Sequence, residues 1–128
     1  MPLPTMGVAD RLAISPDGKL MAYDSHTARD GIAIASLSNG DVLKYFEKLE
    51  AYRGLARFTP DSQAIIYIVN GNTVGNLWRQ SLDGSRPQQV THFTEGLIVN
   101  FALSADGHQL AVARSQHYND VILITDFK

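Results

Sequence analysis

The chain of 128 residues contains no cysteine. Disulfides and thiolate metal sites are therefore excluded, since both require the sulfur. Nor is there an apolar run approaching the ~20 residues of a membrane-spanning helix. The opening residues Met1-Pro2-Leu3-Pro4-Thr5-Met6 have neither the basic nor the apolar region of a signal peptide. On these grounds the expected compartment is the cytoplasm by default, with no membrane partner. An excess of one charge is also missing: 11 Lys and Arg face 13 Asp and Glu, for a net charge of −2. The cations form no run or stripe, which argues against a nucleic-acid partner.

Catalytic signatures are equally scarce. No Gly-x-Ser-x-Gly elbow and no Gly-x-x-x-x-Gly-Lys phosphate loop occurs. The histidines His26, His92, His108 and His117 fall in or beside different loops, without the spacing of a metal site. No catalytic residue, metal or cofactor is expected.

What the chain does contain is repetition. Ser15-Pro16-Asp17-Gly18, Thr59-Pro60-Asp61-Ser62 and Ser104-Ala105-Asp106-Gly107 are one turn written three times, at spacings of 44 and 45 residues. Proline presets φ, Asp bonds to the backbone ahead of it, and Gly accepts the positive φ that closes a hairpin. Two copies depart from this pattern. Ala105 replaces proline, and Ser62 replaces glycine and is expected to be strained. The three aspartates could suggest a metal site, but their turn position accounts for them better.

The similarity runs past the turn. Ile14, Phe58 and Leu103 precede it; Met21, Ile65 and Leu110 follow, then Tyr23, Tyr67 and Val112 two residues further on. Alternation of this kind places side chains on one face of a strand. Third strands read Ile32-Ala33-Ile34, Leu77-Trp78-Arg79 and Val121-Ile122-Leu123. Turns at Asn39-Gly40 and Asp83-Gly84 lead to fourth strands over 42–46 and 88–93, with no counterpart in the third copy. A helix over 42–52 is the competing reading there, since Leu43, Phe46 and Leu49 could share a helical face. Trp78 is expected to pack against the next repeat rather than to stack on a ligand.

Four strands per ~40–45 residues is the period of a β-propeller blade. The Ser-Pro-Asp-Gly turn after an apolar strand, with Leu77-Trp78 and Leu82-Asp83-Gly84 in the middle copy, resembles the TolB-type, WD-repeat-like blade. The final run, Asp120 to Lys128, is similar to the C-terminus of propellers carried by some bacterial serine/threonine kinases. The expected fold is all-β: three four-stranded antiparallel meanders, half of a six-bladed propeller. It is a single partial domain over 1–128, with blades near 9–48, 53–93 and 97–127.

Propellers close with about four to eight blades. Three blades leave two open faces with apolar side chains, so covering is required. Either two copies join into a six-bladed homodimer, residues 3–8 of each beside residues 121–125 of the other, or further blades belong to a longer chain. The dimer is the preferred reading. The resemblance implies a non-enzymatic binding or scaffold module that takes a protein or peptide on rim loops or in the central channel. The alternative is a sensor or accessory propeller of a larger bacterial kinase or peptidase, and a small lactonase-like hydrolase is third. The loops at 24–31, 70–75 and 115–120 emerge on one rim and differ most between copies. Rigid scaffolds carry recognition on such loops, so His26, Arg29, Asn72, His117 and Tyr118 are the candidate binding residues.

Overall fold

The computed structural model describes residues 12–25, 31–47, 52–115 and 119–125. Its strands are β1 (Leu12–Ile14), β2 (Leu20–Ser25), β3 (Gly31–Ser36), β4 (Val42–Glu47), β5 (Tyr52–Phe58) and β6 (Ala64–Asn70). They continue with β7 (Gly75–Ser81), β8 (Gln88–Gln89), β9 (Leu97–Leu103), β10 (Leu110–Ser115) and β11 (Asn119–Ile124). They form three antiparallel meanders, β1-β2-β3-β4, β5-β6-β7-β8 and β9-β10-β11, here blades 1, 2 and 3. No helix occurs among the described residues, and Val42–Glu47 is strand, so the helical alternative fails. None of the described residues forms a helix long and apolar enough to cross a membrane.

One departure concerns strand number. Blade 3 has three strands among the described residues, in keeping with the absence of a fourth-strand counterpart in the third copy. In blade 2 the fourth strand expected over 88–93 ladders only at Gln88 and Gln89. Beyond it the Asn76 side chain replaces the ladder, its Oδ1 accepting from Phe93 N at 2.7 Å and its Nδ2 donating to Phe93 O at 3.2 Å.

The repeated turn is held the same way three times. Its first residue donates a backbone bond across to the following strand, from Ser15 to Leu20, Thr59 to Ala64 and Ser104 to Gln109, each at 2.9 Å. Its fourth residue donates back to the first, at 2.9 Å for Gly18 and Ser62 and 3.0 Å for Gly107. The chain then turns into the following strand through a positive φ at that fourth residue, 74° for Gly18, 78° for Gly107 and 60° for Ser62.

Alternation along the strands divides each blade into two faces, and the blades stack through them. In β6, Ile65 and Tyr67 point toward blade 1, joining Ala22, Ile32, Ile34 and Phe58. Their neighbours Ile66 and Ile68 point the other way, joining Leu77, Ile98, Phe101, Leu110 and Val112. Burying an aliphatic side chain of this size contributes about 1.5–3 kcal/mol, so each blade depends on its neighbour's face. Trp78, directly across from Tyr67, packs against blade 1. It does pack, but on the preceding repeat rather than the next, because its register puts it on Tyr67's face. On the inner strands Arg57 Nε donates to Phe101 O at 2.8 Å and Nη2 to Asn100 Oδ1 at 3.2 Å, tying blade 2 to blade 3.

The two ends of the arc differ. On the face of blade 1 turned away from blade 2, Met21 (1%) and Tyr23 (4%) are buried, with Ala33 and Ala35 beside them. The centre of that face is thus covered, contrary to the expectation of two open faces, although Leu12, Ile14, Val42 and Leu43 around it are exposed. The outward face of blade 3 is open: Val121 is 71% exposed, and Leu123 and Val99 are each 61% exposed.

Candidate functional site

Antiparallel order puts the turns β1–β2, β5–β6 and β9–β10 on one rim and the loops β2–β3, β6–β7 and β10–β11 on the other. The turn rim is occupied by its own scaffolding. Asp17 Oδ1 accepts from Ser15 Oγ at 2.6 Å and Lys19 N at 3.0 Å. Asp61 Oδ1 accepts from Thr59 Oγ1 at 2.6 Å and Gln63 N at 3.0 Å. Asp106 Oδ1 accepts from Ser104 Oγ at 2.6 Å and His108 N at 2.9 Å. In each case the hydroxyl bond, followed by the backbone bond, holds the carboxyl below the ordinary value of 3.8. Asp83 is held low in the same way by the Ser85 hydroxyl and N–H. The repeated acids therefore brace turns, as their position implies.

Adjacent turns also touch. Asp17 N donates to Ser62 Oγ at 3.3 Å, and a methyl group at Gly107 would lie 3.1 Å from the Pro60 ring. Between the turns of blades 2 and 3 lies a concavity of about 340 Å³, lined by Pro60, Asp61, Arg79, Asp106 and His108 among others. Among the described residues no group of three or more His, Asp and Glu side chains is placed to hold a metal ion.

The loop rim is less regular. Of the candidate binding residues, only Asn72 lies within the described residues, exposed on the β6–β7 loop; His26, Arg29, His117 and Tyr118 fall outside them. The Asn72 loop is fastened to blade 3. Gly75 N donates to Gly96 O at 2.8 Å and Gly96 N to Thr73 O at 3.1 Å. The Asn70 amide pairs with the backbone of Ile98, donating to its O at 2.9 Å and accepting from its N at 3.1 Å.

Sequence reasoning missed a second group on this rim. Arg114, only 10% exposed, binds Asp120 through two contacts, Nη2 to Oδ2 at 2.9 Å and Nε to Oδ1 at 3.3 Å. Its Nη1 donates to Glu95 O at 3.2 Å, and its guanidinium lies 4.3 Å from the centre of the Phe93 ring. The signal available was the opposite charges on either side of the β10–β11 loop. Arg114 and Asp120 also line a concavity of about 410 Å³ with Val99, Ala113, Ser115 and Val121, open toward the outward face of blade 3.

No protein-family model and no curated protein sequence matches the chain. Solved structures do. TolB from Acinetobacter baumannii superposes with a TM-score of 0.77 at 23% identity, over 92% of this chain and 30% of its own. The fold is that of a TolB-type β-propeller. A protein described as a TolB from Agrobacterium tumefaciens gives 0.79 at 17% identity, over 95% of this chain and 47% of its own. The propeller domain of the trilobed protease from Pyrococcus furiosus, which has an open velcro topology, gives 0.66 at 15% identity, over 95% and 40%. The chain spans a third to a half of the length of these propellers, and it is a partial one.

Proposed function

We propose that this partial propeller is a non-enzymatic binding module that holds a protein or peptide on its loop rim. The observation that carries the reading is the use of Asp17, Asp61 and Asp106: all three repeat-equivalent carboxylates brace their own turns. Polar chemistry at the repeated positions thus serves the scaffold, and the variable loops are left to discriminate a ligand. Asn72 supports this further, since it is exposed on a loop whose backbone is bonded to the neighbouring blade. A pre-organised loop loses little entropy on binding. A lactonase-like hydrolase would need acids or histidines converging on one point, and these acids each serve a separate turn.

A second reading is an accessory propeller of a larger protein. It is favoured by the 30% to 47% coverage of the TolB propellers and by the likeness to a protease's propeller domain.

Selection of displayed peptides on the purified chain, followed by fluorescence anisotropy of those enriched, tests the binding reading. Asn72→Ala combined with Tyr118→Ala should weaken the selected peptides at least tenfold, while His108→Ala on the opposite rim should leave affinity unchanged. Failure to enrich any peptide above a variant with scrambled 70–75 and 115–120 loops would overturn it.

A further inference from the structure

Two departures from the repeat fall on one place. Ala22, Ile66 and Ala111 occupy the same position counted from the repeated turn. Across the ladder from them stand Ile34, Arg79 and Leu123, so the middle blade has a guanidinium where its neighbours have an aliphatic side chain. In the turns, Gly107 stands where Ser62 does one repeat earlier. Between blades 1 and 2 this place is filled: Ile34 lies buried in the apolar cluster, and Ser62 Oγ accepts from Asp17 N at 3.3 Å. Between blades 2 and 3 the aliphatic side chain and the bridging hydroxyl are both replaced. There the two turns enclose the concavity of about 340 Å³, a size suited to a small ligand.

The charges that line it do not satisfy one another. Arg79 is half-buried, and its Nη1 donates to Ser81 Oγ at 2.9 Å. Its Nε and Nη2 have no partner among the described residues, and it forms no ion pair there with Asp61 or Asp106. In both aspartates Oδ1 takes the two turn bonds, and Oδ2 has no partner among the described residues. The Thr59 hydroxyl and the Gln63 N–H hold the Asp61 carboxyl low, and the charge of Arg79 adds to them. One concavity thus offers two ionised acceptors and a guanidinium with donors to spare.

We propose that this concavity binds a free α-amino acid, its carboxylate on Arg79 and its ammonium on Asp61 and Asp106. An anion alone would meet Arg79 but face two carboxylates, and a cation alone would meet the carboxylates but face Arg79. A zwitterion brings each group its opposite charge. The guanidinium fork matches a carboxylate, and the three donors of an ammonium suit two separate acidic oxygens. Pro60 and Gly107 add apolar wall for the ligand's side chain. The site lies on the turn rim, opposite the loops, and does not depend on a peptide held there. Loss of either ligand leaves the other reading standing.

Titration of the standard α-amino acids into the isotopically labelled full chain, followed by amide NMR, tests the site. At least one should give a saturable shift centred on residues 59–63, 79 and 104–108. Its N-acetyl and methyl-ester derivatives should leave these signals unmoved, since each lacks one of the two charges. Arg79→Ile writes the blade 1 residue into blade 2, and Asp106→Asn keeps the Oδ1 acceptor that the turn uses. Each should weaken binding about tenfold, the scale of a charge-assisted hydrogen bond. Asp17→Asn, in the equivalent turn outside the concavity, should leave affinity unchanged. No saturable shift up to ~20 mM, equal binding of either derivative, or full affinity in Asp106→Asn would each overturn the proposal.

Discussion

Ser62 holds a φ of 60° where its two counterparts are glycines. A left-handed non-glycine residue costs about 1 kcal/mol or more, so glycine at this position should relieve strain. The structure adds an opposing contribution, because Ser62 is 5% exposed and its Oγ accepts the Asp17 N–H. A hydrogen bond of this kind contributes about 0.5–1.5 kcal/mol. Ser62→Gly is therefore expected to be nearly neutral, whereas Ser62→Ala, which keeps the strain and loses the bond, should cost about 1 kcal/mol in urea unfolding. Ser62→Ala as stable as the unmodified chain would show that the bond to Asp17 contributes nothing. The aspartates set a pH dependence at the same scale. Their folded values lie below 3.8, so the stabilisation is complete above that pH and is lost as pH falls through the lower folded values. Melting temperature should be level between pH 7 and 5 and decline below about pH 4. Thr59→Val, which removes the principal bond to Asp61, should make that acid-side decline shallower, and an unchanged acid limb would contradict this account.

Between elements, the firmest polar link joins β6 to β9. Asn70 satisfies both backbone groups of Ile98, a residue that is itself buried. Removing the amide leaves them without that partner, which costs about 1–3 kcal/mol for each buried polar group left unsatisfied. Asn70→Ala should destabilise on that scale and speed amide exchange at Ile98 and Gly96 while leaving β1 to β3 protected. Gly75 needs to be glycine for the same contact, since a Cβ there would strike the Asn70 amide and come within 3.0 Å of Ile98 N. Gly75→Ala should reproduce the exchange pattern of Asn70→Ala. Protection lost evenly over all three blades in either variant would mean that the link is not local.

At the scale of the molecule, stability is a sum over two blade contacts, and neighbouring residues report on different ones. Ile65 and Ile66 are both fully buried, yet Ile65 packs with blade 1 and Ile66 with blade 3. Truncating either to alanine should cost about 2–5 kcal/mol. Hydrogen exchange should separate them: Ile65→Ala should loosen β1 to β3 first and Ile66→Ala β9 to β11. Identical exchange maps would show one indivisible core instead of a stacked array.

The sequence alone determined the repeat, the strands and the braced turns, because these rest on local chemistry. Ser15, Thr59 and Ser104 each lie two residues from the Asp they bond, and the apolar alternation around Ile65 and Tyr67 has the period of a pleated strand. Asn72 was found as an exposed loop residue for the same local reason. What only the tertiary structure decided depends on partners distant in the chain. Arg114 meets Phe93 and Glu95 across a blade boundary, Asn70 reaches Ile98 28 residues away, and Trp78 turns to blade 1 because its cross-strand partner Tyr67 does. The unequal ends of the arc belong with these. A face whose centre is Met21 and Tyr23 and one whose centre is Ala111 look equally apolar in sequence, and only packing shows the first to be buried at its centre and the second to carry Val121 and Leu123 into solvent.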